Sequence, residues 1–235
     1  MNNYLSYTEA DELCDEMIRQ FIDDSEKLHA VDIDAFVTDY LKCTVRYECI
    51  SEKDPTKIGF TADGKRPLKV LRSGTVKVVT FPKNTIILDQ YLLQAEEESR
   101  RRFILGHEAG HILSSRLNLS DAAGFHSSFD NEHVYTLDEL KDQCSINEWQ
   151  ANTFAAALLM PRFMMLKALE KYNKGKPITV YGESVFAARE KRLLNKIATL
   201  FNVSYTALVI RLRKLKMLDY RDLSEYVEKH VAPAE

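Results

Sequence analysis

Residues 107–111 read His-Glu-Ala-Gly-His, inside the run RRFILGHEAGHILSS. On a helix, His107 and His111 leave the same face one turn apart, so both imidazoles can bind one metal ion. Glu108 sits beside the first of them, within reach of a water on that ion. An ion held this way polarises a carbonyl and acidifies water, and Glu108 can accept the proton and return it to a leaving amine. The pattern therefore predicts metal-assisted hydrolysis of a peptide bond. The alternative is a solvated helix carrying two surface histidines. Phe103, Ile104, Leu105, Ile112 and Leu113 argue against it, because they make this a core helix, where two histidines and a glutamate need partners.

Two histidines leave a four-coordinate catalytic site one protein ligand short. A third histidine in the HExxHxxGxxH pattern would require Gly at 114 and His at 117, but those positions hold Ser114 and Leu117. A carboxylate from a later helix is the remaining common arrangement, and Glu148 is the best placed. It opens EWQANTFAAALLMP, a nearly all-apolar segment in which a glutamate is costly unless ligated or paired. Asn152, one turn on, is positioned to hold a ligand by hydrogen bonding. His126, His133, Glu139 and Asp142 are rivals in more polar sequence. His126, His133 and Tyr181 are unranked candidates for steadying an oxyanion. Histidine and carboxylate ligands suit Zn2+, and also Mn2+ or Fe2+.

The elements that must position these groups are legible in outline. A helix is expected over 8–22, with Leu13, Met17 and Phe21 on one face and Thr8 as its cap, and a short one from Asp32. Segments 43–50, 56–61, 67–71, 75–81 and 85–89 read as the strands of a small antiparallel sheet, parted by Asp63-Gly64, Ser73-Gly74 and Pro82-Lys83-Asn84. Helical patterns return over 91–116, 144–160, 162–172, 183–201 and 205–217, with a long loop at 118–143. The class is α+β. The expected division is a metallopeptidase domain over 1–161 and a C-terminal helical region over 162–235.

FILGHEAGH together with EWQANTFAAALLMP resembles the ImmA/IrrE family of metallo-endopeptidases. The preceding NTIILDQYLLQAEEESRRRF is similar to that family's strand and lead-in helix. The resemblance runs over roughly 8–218, with its specific motifs in 103–113 and 148–161. It implies a zinc peptidase with His107, His111 and Glu148 as metal ligands and Glu108 as general base. It also implies a protein substrate of a particular kind, a helix-turn-helix transcriptional repressor whose cleavage derepresses genes. The 118–143 insert departs from the family and puts the shape of the substrate groove in question.

Composition excludes some other classes. The longest apolar run, 154–160, falls far short of the ~20 residues of a membrane span. The first residues show no basic or apolar signal pattern, and Cys14, Cys43, Cys49 and Cys144 lack CxxC spacing, so a cytoplasmic protein with free thiols is expected. The net charge of −3 is a cancellation. Residues 1–60 hold 6 basic and 14 acidic side chains, whereas 161–218 hold 13 and 3. Within the basic part, 191–217 reads as a helix-turn-helix-like pair capped at Ser204. There Lys191, Arg192, Lys196, Arg211, Arg213, Lys214 and Lys216 offer a phosphate-binding surface. The alternatives are substrate docking, or attraction between two parts of one fold. The leading expectation is a zinc endopeptidase. Its competitor is a regulatory protein that binds a repressor or DNA on a peptidase scaffold with little turnover.

Overall fold

The computed structural model describes residues 4–22, 28–119 and 143–231. Helix α1, Tyr7–Phe21, starts with a capping box. The Ser6 hydroxyl accepts from the Glu9 amide while the Glu9 carboxylate accepts from the Ser6 amide, so Ser6 takes the capping place expected of Thr8. Ala10, Cys14 and Ile18, spaced by four, form its buried face. The second helix, α2 at Ile33–Ala35, is capped by the Asp32 carboxylate and runs into a π-helical turn at Phe36–Tyr40.

Five strands follow: β1 Thr44–Glu48, β2 Gly59–Ala62, β3 Pro67–Arg72, β4 Thr75–Thr80 and β5 Thr85–Asp89. The protein is α+β as expected, but these strands do not form one antiparallel sheet. β1, β5 and β2 make a three-stranded sheet in that order, in which β1 runs parallel to β5 and β2 antiparallel to it. β3 and β4 form a separate antiparallel hairpin. Turn signals mark where strands end, yet cannot say that β1 pairs with a strand 41 positions later, as Thr44 does with Thr85. Phe60, Ala62 and Ile87 from the sheet meet Leu68 and Val70 of the hairpin in a small apolar cluster.

The opposite face of the sheet lies on helix α3, Glu98–Arg116, and α3 lies on α4, Gln143–Leu159. Pro161 breaks the chain before α5, Arg162–Asn173, whose first amides donate to the Asp15 carboxylate of α1 at 2.6 and 3.2 Å. The main hydrophobic core runs without interruption across Pro161, taking in α1, α3, α4 and α5. It continues into α6, Ala188–Phe201, and α7, Tyr205–Lys214.

The C-terminal part is not wholly helical. Strands β6, Ile178–Tyr181, and β7, Leu218–Arg221, pair in parallel, and α8, Leu223–His230, follows. All three were unreadable as elements because each is short and its partner distant. The axes of α6 and α7 meet at 99° across a break at Asn202, which adopts a left-handed conformation, and Ser204 caps α7. Among the described residues no single helix is long and apolar enough to cross a membrane.

Arg211 must be withdrawn from the expected phosphate-binding surface. It is fully buried, donating to the Met160 carbonyl at 2.9 Å and engaging Asp11 and the Tyr7 hydroxyl. One acidic residue of the N-terminal segment is thus neutralised by one basic residue of the C-terminal segment, inside the core. Lys191, Arg192, Lys196, Arg213, Lys214 and Lys216 remain exposed.

Candidate metal centre

The α3–α4 contact decides the site. The two helices approach so closely that a Cβ at Gly110 would lie 2.9 Å from both the Cα and the carbonyl oxygen of Ala151. The glycine inside His-Glu-Ala-Gly-His is therefore demanded by packing against a small residue of α4 rather than by backbone conformation. With Gly110 seated on Ala151, and Gly106 on Ala155, the first half of α4 is held beside the two histidines.

That register brings His107, His111, Glu148 and Asn152 together. The Nε2 atoms of His107 and His111 are 3.0 Å apart. Glu148 places Oε2 3.3 Å from His107 Nε2 and Oε1 3.8 Å from His111 Nε2. One ligand atom from each of the three residues lies within 4.8 Å of the others. Tetrahedral zinc with bonds of about 2.0–2.1 Å sets its ligands about 3.3–3.4 Å apart, so this set fits the ion closely. Both histidines are buried and the Glu148 side chain is 12 % exposed.

Asn152 Oδ1 lies 2.8 Å from His107 Nδ1. Accepting a hydrogen bond there puts the proton on Nδ1 and leaves the Nε2 lone pair facing Glu148 and His111. Burial alone would depress the basicity of His107. The hydrogen-bonded Glu148 carboxylate outweighs that, with help from Glu108 and Asn152, and raises its pKa above the ordinary imidazole value. The cluster brings together two imidazoles and the Glu148 carboxylate, a donor set that suits a divalent cation.

Glu108 is met by β2. Thr61 donates from Oγ1 to Glu108 Oε2 at 2.7 Å, and the same hydroxyl is 3.1 Å from the Glu108 carbonyl. A Cβ at Gly59 would lie 2.6 Å from Glu108 Oε1 and 2.8 Å from Ile104. Neither residue is visible from the metal motif. A glycine inside a strand-like run does signal close approach by another chain, and that was the available clue.

Of the remaining candidates, Tyr181 lies on β6 with its ring against Tyr226. Ser114 is buried on α3 and Leu117 ends that helix. His126, His133, Glu139 and Asp142 lie outside the described residues.

Residues 73–213 match a family model, that of peptidase M78, described as the IrrE N-terminal-like domain. The matched span is more than half of the chain and contains all of α3 and α4, but it begins after Gly59 and Thr61. No curated protein matches the chain at a significant level.

Proposed function

The chain belongs to the peptidase M78 family, a family of zinc-dependent metallopeptidases acting on protein substrates, and on that premise we propose that it is a zinc endopeptidase that cleaves a helix-turn-helix transcriptional repressor in the cytoplasm. The observation that carries the enzymatic reading is the pairing of a three-ligand group with an adjacent carboxylate that is not one of the ligands. A protein that only bound metal or a partner would have no use for Glu108 in that place. The repressor as substrate is supported by the resemblance of FILGHEAGH and EWQANTFAAALLMP to the ImmA/IrrE peptidases.

His107, His111 and Glu148 would hold the ion, which when bound supplies Lewis-acid polarisation of a carbonyl and a more acidic water. Asn152 keeps the His107 lone pair on Nε2. Glu108, with Oε2 engaged by Thr61, takes a proton at Oε1 from the attacking water and passes it to the amide nitrogen as the bond breaks. Among the described strands β2 is an edge strand, and it runs along α3 beside Glu108. An extended peptide can add to such an edge through main-chain hydrogen bonds, which places its backbone next to the base.

The test uses purified, zinc-loaded protein and a repressor encoded beside its gene. Cleavage by the wild type, and its loss in Glu108→Gln with zinc content unchanged, is the expected outcome. Equal cleavage by both proteins would remove Glu108 from the base role. Tight repressor binding without cleavage would favour the regulatory scaffold instead.

A further inference from the structure

The two residues of β2 that touch Glu108 occupy a special position in their strand. In an antiparallel pair, residues alternate between those bonded to the neighbour and those whose N–H and C=O point away from it. The Asp89 amide donates to the Ile58 carbonyl at 2.8 Å, and Phe60 stands opposite Ile87, so 58 and 60 face β5. Gly59 and Thr61 are the alternate residues, and their main-chain groups face away from β5. Side chains alternate as well. Phe60 and Ala62 pack toward the hairpin, while Gly59 and Thr61 face α3. One pair of residues therefore turns its main chain away from β5 and meets Glu108 from the side.

Thr61 is 1 % exposed, and its hydroxyl bonds Glu108 Oε2. Gly59 leaves just enough room for Oε1, since any side chain there would displace it. Together they fix the carboxylate from both oxygens: a bond holds one, and an absent side chain admits the other.

We propose that Thr61 is a positioning residue that sets the orientation of Glu108. The proposal rests on the reading of Glu108 as general base.

Two measurements separate this role from a merely structural one. In the zinc-loaded protein, with a fluorogenic peptide spanning the repressor cleavage site, Thr61→Val should lower kcat about tenfold, as expected for losing one hydrogen bond to a charged group. KM should stay within about twofold and zinc content should not change, because the bond lost is to Glu108 and not to a metal ligand. Thr61→Ser should restore most of the rate. A raised KM with unchanged kcat, or no rescue by serine, would overturn the proposal. The second measurement needs no activity. In metal-free protein, Thr61→Val should lower the thermal midpoint by about 3–10 °C in the wild-type background and by clearly less in a Glu108→Ala background. Additive shifts would show that no brace exists. If Thr61→Val fails to fold, Thr61→Ala replaces it in both arms. Should the wild type cleave nothing while the midpoints remain coupled, the proposed function fails and the brace stands.

Discussion

Two buried clusters of ionisable groups lie at opposite ends of α4, and they are built on opposite principles. Near its C-terminal end, Arg211 meets Asp11, the Tyr7 hydroxyl and the Met160 carbonyl. Positive and negative charge are both supplied by the chain and the donors have acceptors, so the cluster is closed. Cys14, sealed beside it, has its thiol pushed well above the usual range by burial, which leaves it inert. Near the N-terminal end, His107, His111 and Glu148 converge, with one ligand atom from each within 4.8 Å of the others, so the cluster is open to an ion. Burial treats both alike. What differs is the chemistry gathered: an ion pair ties helices together, whereas three converging donors at metal-ligand spacing suit an ion.

Three experiments test the contrast. The largest effect should come from the closed cluster. Arg211→Met leaves Asp11 buried without its partner and should destabilise the fold by about 3–5 kcal/mol in urea denaturation. Arg211→Met combined with Asp11→Leu should recover most of that loss. If the single change costs nothing, Arg211 is not the tie between α1 and α7. The open cluster should respond to an added ion instead. Zinc at a hundredfold excess over its Kd should raise unfolding free energy by about 2.7 kcal/mol in the wild type and in Arg211→Met alike, but not in His111→Ala. Equal stabilisation of His111→Ala would place the ion elsewhere. The smallest effect belongs to the group behind the ligands. Asn152→Ala should weaken zinc binding about 10- to 100-fold by calorimetric titration, because His107 loses the partner that fixes its tautomer. Unchanged affinity would mean that the 2.8 Å contact does not orient the ring.

The two clusters were not equally legible in the sequence. His107, Glu108 and His111 lie within five residues, and a helix fixes their mutual geometry by itself. Glu148 and Asn152 are also one turn apart, so each half of the metal centre is a local pattern. The seam between the halves depends on Gly110 meeting Ala151, and a glycine in a motif does not announce which neighbour it admits. Arg211 shows the opposite case. Its neighbours Arg213, Lys214 and Lys216 suggest a solvated basic face, and nothing local distinguishes it from them. It is assigned to the core by α1, whose Asp11 lies 200 positions away.

The pairing of strands was equally out of reach. Segments with β-rich composition and turn signals mark where strands exist, and five did. Composition does not encode partners, so the parallel β1–β5 pair and the late β6–β7 pair appear only when the helices between them are packed. The brace on Glu108 belongs to this class. Gly59 and Thr61 precede the metal motif by more than forty residues and become its neighbours because β2 takes the edge position on α3.

By itself, then, the sequence determined the chemistry: two imidazoles and a glutamate at helical spacing, a second carboxylate on a later, largely apolar helical segment, and an α+β chain to carry them. Periodicity is a property of a single segment, and side chains one turn apart on a helix meet whatever the rest of the molecule does. Tertiary structure alone decided how close α3 and α4 come, which arginine is buried, and which strand holds the base. Those outcomes depend on burial and hydrogen bonding between segments far apart in the chain, where many pairings are compatible with one composition and packing selects among them.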